Sequence, residues 1–145
     1  MKFLFVLLLA CACCAFAPAD AIKKGVMIIE FDHLKAETGE VEVSLYNEAT
    51  TFLNDGAAFY TKRQKVVDGK IKVVFDNIPY GDYAAVSYHD VNDNHKFDRN
   101  FLGIPKEPVA VSQLTKKQFS KPCFREAKVG FHQSQMIVKM RFVKY

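Results

Sequence analysis

From Met27 onward the chain alternates apolar and polar residues with a period of two, not with the longer spacing of an amphipathic helix. Met27, Ile29 and Phe31 share one face of a first strand. Val41, Val43 and Leu45 share one face of a second, whose Glu40, Glu42 and Ser44 point the other way. Ile71, Val73 and Phe75 repeat the pattern, and Ala84, Val86 and Tyr88 lie together on one face of a fourth segment. Met136, Val138, Met140 and Phe142 alternate with Lys139 and Arg141 in a fifth. Such alternation fits a half-buried strand, because successive side chains of an extended chain stand on opposite faces of the sheet. Weaker strand candidates run from Gln64 to Val67, Val109 to Val111 and Lys128 to Phe131.

The connections read the same way. Asp68-Gly69 between two strand-prone runs predicts a tight hairpin, and Tyr80-Gly81-Asp82 predicts a second reversal. One segment, Ala49 to Ala58, is compatible with a short turn of helix around Phe52 and Leu53, ended by Asn54-Asp55-Gly56. Many short strands without a long amphipathic helix predict an all-β fold, an antiparallel β-sandwich of about seven strands in the immunoglobulin-like manner. With no linker, low-complexity tract or repeat, residues 22–145 read as a single domain.

The first 21 residues are different. Lys2 precedes an apolar stretch from Phe3 to Ala17, with small residues at Ala19 and Ala21, the pattern of an export signal cleaved after Ala21. That stretch is shorter than a membrane-crossing helix needs, so an integral membrane protein is not expected, and the product is periplasmic, in the outer envelope or secreted. Leu8-Leu9-Ala10-Cys11 offers an alternative, a lipoprotein signal that would leave a lipid anchor on Cys11. Cys11, Cys13 and Cys14 lie in or beside the signal, so only Cys123 survives ordinary processing and no internal disulfide forms. Cys123 reads as a small packing residue, and the core alone must stabilise the domain.

The net charge of +4 is modest. Lys62, Arg63 and Lys65, then Lys116, Lys117 and Lys121, then Lys139, Arg141 and Lys144 form three clusters. A solvated strand face and lysine-rich loops account for them, and no nucleic-acid motif accompanies the charge, so no nucleic-acid partner is expected.

The candidate chemistry lies in Asp90-Val91-Asn92-Asp93-Asn94-His95-Lys96-Phe97-Asp98. Oxygen-bearing side chains at alternate positions suit a hard cation: Asp90, Asn92 and Asn94 from side chains, Lys96 from its carbonyl, and Asp98 directly or through water. The twelfth position of such a loop falls on Phe101, where a helix-loop-helix calcium site would carry a bidentate Glu, so this is a different kind of site. Asp93 or Glu107 could supply a further oxygen. Few formal charges predict weak calcium binding, around 10⁻⁴ to 10⁻³ M, with a role in stiffening the loop. The competing reading is turn chemistry, since Asp and Asn favour turns without any metal.

Asn77-Ile78-Pro79-Tyr80-Gly81-Asp82-Tyr83, followed by His89-Asp90, Asn92, Asn94, Asp98, Gly103-Ile104-Pro105 and Glu107, resembles the DUF2141 family of exported, mostly bacterial proteins. Val43-Ser44-Leu45-Tyr46-Asn47, Pro122, Phe124 and Ala127 are weaker points of likeness. The resemblance implies a β-sandwich related in shape to prealbumin-like and carboxypeptidase-regulatory-like modules. Two departures stand out: His95 where the family usually has Gly, and Pro108 to Ser112 where it tends to an aromatic, Gly, Phe and Ser. A histidine can take a positive φ at a cost of about 1 kcal/mol.

Enzyme readings have less to stand on. His33, His89, His95 and His132 lack the close pairing of a zinc hydrolase, and the chain ends Arg141-Phe142-Val143-Lys144-Tyr145, not in the Tyr-Arg-Gly-Ser tail of transthyretin-shaped hydrolases. The resulting expectation is a noncatalytic exported module with a calcium-stiffened loop, acting on an unknown protein or glycan partner. A small-molecule or glycan carrier using Gly103-Ile104-Pro105 and Phe101 is the alternative, and a hydrolase using His89 and Asp90 is the third reading.

Overall fold

The computed structural model describes residues 22–32, 34, 38–118 and 120–145. The expected export signal, residues 1–21, with Cys11, lies outside the described residues, as does His33. Strands run over Lys24–Asp32 (β1), Glu40–Tyr46 (β2), Tyr60–Lys65 (β3), Ile71–Pro79 (β4), Gly81–Asp90 (β5), Val109–Val111 (β6), Lys128–Phe131 (β7) and Gln135–Arg141 (β8). One sheet has the order β4-β1-β8; the other is β3-β2-β5, with β6 and β7 end to end along the far side of β5.

The alternating apolar faces meet between the sheets, as the pattern predicts. Met27, Ile29 and Phe31 of β1, Ile71, Val73 and Phe75 of β4, and Val138 and Met140 of β8 pack in one core with Val41, Val43 and Leu45 of β2 and Tyr83 and Ala85 of β5. Each fully buried side chain of this kind contributes about 1.5 to 3 kcal/mol relative to exposure. Among the described residues no helix is long and apolar enough to cross a membrane.

Several local expectations hold. Asp68 (φ 52°) and Gly69 (φ 64°) turn a hairpin closed by the Val67–Lys70 bridge, two successive positive φ values being what a type I′ turn demands. The Tyr80 reversal is pinned by the Tyr83 hydroxyl, which donates to the Pro79 carbonyl at 2.9 Å. Just before it, the β1–β4 register slips between Gly25 and Met27, with Asn77 at φ 58°. This bulge lets Phe75 and Ile78, three residues apart, both enter the core.

Others are corrected. The sandwich is mixed, because β8 pairs with β1 in parallel from Val26–Gln135 to Asp32–Arg141. The chain crosses from β7 to β8 directly over Gly25, where a Cβ would stand 2.6 Å from the Ser134 carbonyl oxygen. Residues 49–58 form turns rather than helix, with Leu53 at φ 61°, and fold over the outer face of the larger sheet. The one described helical turn, Phe124–Ala127 (α1), is too short to leave a periodic signal; its preceding residue, Cys123, is exposed and not packed, and its amide donates to the Glu126 carboxylate at 3.1 Å. The Gln64 to Val67 candidate begins earlier, at Tyr60, because β3 takes its register from β2.

Across the β5–β7 pair Lys128 Nζ donates to Asp82 at 2.6 Å. That hydrogen bond, with the lysine charge behind it, holds the Asp82 carboxyl below its ordinary 3.8. The contribution is present above the ordinary carboxylate range and is lost as pH falls through the lowered value. A carboxyl-detected NMR titration should therefore give Asp82 a midpoint below 3.8, returning towards it in Lys128→Ala; an unmoved midpoint would show the pair to be broken in solution.

The Asp90 to Glu107 loop as a candidate cation site

β5 is buried on both sides, and this places Asp90. Odd-numbered Tyr83 and Ala85 point between the sheets, so even-numbered Ala84 and Val86 stand on the outer face. Asp90 closes that series at the strand's end and is fully buried, 0% exposed. Its Oδ1 accepts the Asn94 amide at 3.1 Å and its Oδ2 the His95 amide at 2.7 Å, so one carboxylate gathers the loop that follows.

Three of the other predicted ligands, Asn92, Asn94 and Asp98, are tied to one another by side-chain hydrogen bonds. Asp98 Oδ2 accepts the side-chain amides of Asn92 at 3.0 Å and Asn94 at 2.9 Å. The oxygens of those asparagines accept backbone amides two residues on, Asn92 from Asn94 at 3.3 Å and Asn94 from Lys96 at 2.8 Å. Both are Asx turns, the local chemistry that competes with ion binding as the reason for this composition. Asp93 (φ 57°) and His95 (φ 59°) take the left-handed conformation, so His95 has the positive φ expected of it.

Glu107 reaches the loop from its far end, though its carboxylate is not gathered with those of Asp90 and Asp98 within 4.8 Å. It is 5% exposed; its Oε2 accepts the Asp98 amide at 3.2 Å, while its Oε1 is buried without a hydrogen-bond partner. Burial pushes the Glu107 carboxyl up; the Asp98 and Val91 amides oppose this, and the nearby Asp90 and Asp98 carboxylates add to it. Asp93 points elsewhere: its carboxylate meets Glu40 and His95 Nδ1 in a second group whose ligand atoms lie within 4.8 Å of one another. That group carries its own cation already, because Arg63 Nη1 stands 3.0 Å from the same histidine nitrogen.

Arg63 is the residue that reading the chain as charge clusters missed. On the exposed strand β3, it forms an ion pair with Glu42, donates to the Tyr88 hydroxyl at 3.0 Å and the His95 carbonyl at 3.1 Å, and lies 3.9 Å from Asp90 Oδ2. It thereby fastens three strands to the loop. Burial and the adjacent Glu42 push the Tyr88 phenol up to about 12, so it stays protonated through the physiological range.

His89, by contrast, is 2% exposed, with Nε2 2.8 Å from the Thr38 carbonyl oxygen and its ring beside Phe142. His89 and Asp90 thus serve separate surroundings and do not converge. Beyond the loop, Asn100 Oδ1 accepts the Leu102 and Ile104 amides, each at 2.9 Å, and Gly103 turns at φ 77°, building a hairpin with Phe101 94% exposed at its tip.

The family described as uncharacterized protein conserved in bacteria, DUF2141, matches the chain over residues 29–139. No curated protein and no solved structure matches it.

Proposed function

The chain belongs to the DUF2141 family, and we propose that it works as an exported, noncatalytic interaction module whose Asp90 to Asp98 loop is stiffened by calcium. The observation that carries this reading is Glu107 Oε1, a buried carboxylate oxygen that makes no close hydrogen bond and feels the charge of Asp90 and Asp98, although the three carboxylates are not gathered within 4.8 Å of one another and an ion would have to draw them in. Leaving such an acceptor unsatisfied costs about 1 to 3 kcal/mol or more, and gathering like charges adds to the cost. A divalent cation between Asp90, Asp98 and Glu107 would offset both.

The donor set supports calcium over magnesium. Carboxylates, the Asn92 and Asn94 amides and the Lys96 carbonyl are all oxygen donors on a loop that can yield, whereas magnesium demands near-ideal octahedral geometry and retains water. With a cation in place the two asparagine side chains would turn their oxygens, rather than their NH₂ groups, towards Asp98. The Arg63 guanidinium close to Asp90 opposes a second positive charge, consistent with the weak end of the calcium range.

Calcium at several millimolar should raise the unfolding midpoint of residues 22–145 relative to EDTA by about 4 to 8 °C, the equivalent of about 1 to 2 kcal/mol of linkage. Magnesium should do markedly less, and Asp98→Ala and Glu107→Gln should each remove the calcium effect. An unchanged midpoint, or one that both ions raise equally in all variants, would leave the Asp/Asn run as turn chemistry and sink the reading.

A further inference from the structure

The outer face of the larger sheet carries a groove of about 1230 Å³. Its floor includes half-buried Val86 of β5 and Val109 and Val111 of β6, and Leu53 reaches it from the 49–58 turns. The hairpin beyond the cation loop supplies a wall through Leu102 and Ile104, which are 68% and 41% exposed in the absence of anything lying against them. Besides Arg63, five basic residues line the groove: Lys96, Arg99, Lys116, Lys117 and Lys121. Among the described residues none of these five has a carboxylate within 4.0 Å. Of the acids at the groove, Glu42 is held by Arg63, which leaves Asp55.

We propose that this groove binds an anionic amphiphile, with an aliphatic chain along the valine floor and a carboxylate head among Lys116, Lys117 and Lys121. The β6 side of the floor is branched aliphatic and matches an acyl chain, while Ser44, Tyr46 and Tyr88 line the β2 side. Uncompensated lysines beside it select a negative head by charge complementarity. The volume exceeds the roughly 300 to 1,000 Å³ usual for a compact drug-sized ligand, as an extended chain in an open groove would need. A membrane offers the same head-group charge, but a flat surface cannot enter a concavity whose floor is recessed. The groove shares His95, Lys96 and Phe97 with the Asp90 loop, but the valine floor and the three head-group lysines lie on β5, β6 and the segment after β6, so the amphiphile reading does not require calcium.

The test is calorimetric titration of residues 22–145 with dodecanoate below its micellar concentration, in EDTA so that a failure of calcium binding has no bearing on it. One dodecanoate per chain should bind, and dodecyltrimethylammonium should bind about tenfold more weakly or worse. Octanoate should also lose about tenfold or more, since each fully buried methylene is worth up to about fourfold. Combined Lys116→Glu, Lys117→Glu and Lys121→Glu should weaken dodecanoate by about tenfold or more while leaving the thermal midpoint unchanged. Ile104→Ser should weaken it without altering the preference for the anion. No heat at millimolar dodecanoate, equal binding of the cationic amphiphile, indifference to chain length, or binding that appears only on phosphatidylglycerol vesicles would each overturn the proposal.

Discussion

Asp90→Ala should lower the unfolding free energy by about 3 kcal/mol in EDTA, before any ion is added. The carboxylate is fully buried and accepts two backbone amides, at 3.1 Å from Asn94 and 2.7 Å from His95. Hydrogen bonds to a charged acceptor contribute about 1.5 to 3 kcal/mol each, and removing the acceptor leaves both loop amides to find water. Arg63 loses a neighbour as well, though Glu42 keeps it paired. For a domain of this length the change corresponds to a fall of about 12 °C in the midpoint. Asp98→Ala, at a half-exposed residue, should cost much less in EDTA, so the two variants separate the carboxylate that organises the loop from one that serves chiefly an ion. Urea melts of both decide it: a loss below about 1 kcal/mol for Asp90→Ala would mean that water satisfies those amides equally well.

Gly39→Ala should be about as damaging, for a purely backbone reason. Gly39 has φ +86°, and a Cβ there would lie 2.1 Å from the Asp90 carbonyl oxygen and 3.0 Å from the Val91 Cα. The left-handed conformation costs an L-residue about 1 to 2 kcal/mol, and forcing backbone apart adds about 1 to 3 more. We expect a loss of about 3 kcal/mol. Because the displaced backbone is that of Asp90 itself, amide exchange at Asn94 and His95 should quicken beyond what global destabilisation explains. Ordinary exchange there, with stability intact, would show that β2 can slide away from β5 at this end.

The strands were legible because one physical constraint, burial of a single face, writes itself as period two. β1, β2, β4 and β8 are of this kind. β3 is exposed throughout and has no apolar face, so its extent is decided by hydrogen bonding to β2 and not by its own side chains. In β5 both faces are covered: Ala84, Val86 and Tyr88 do share a face, as the alternation indicates, but it is the outer one, while Tyr83 and Ala85 enter the core. The parallel pairing of β1 with β8 leaves no local trace, since nothing in a strand's sequence states the direction of its neighbour.

In the loop, the alternate spacing pointed to residues that interlock, but Asn92 and Asn94 turn their oxygens to backbone amides and their NH₂ groups to Asp98, an orientation that spacing does not state. Glu107 was one of two candidates for a further oxygen; its bond to the Asp98 amide, nine residues away, ties it to the loop, whereas Asp93 lies with Glu40 and His95. Arg63 was unreadable for the same reason of distance: its partners Tyr88 and His95 lie 25 and 32 residues along the chain. The groove is more distant still from any linear pattern, as its floor, wall and lysines come from separate segments.

The β1–β8 ladder bears on the time course of folding. Its first rung joins Val26 to Gln135, so the three-stranded sheet stays a two-stranded ribbon until almost the whole described chain has been gathered. An isolated pair of strands is marginal in water, and long-range pairing must overcome loop-closure entropy before it yields any stabilisation. The molecule therefore belongs with the slower β-topologies, which fold in about milliseconds to seconds, and its core seals late, in one concerted step that waits on residues 135–141.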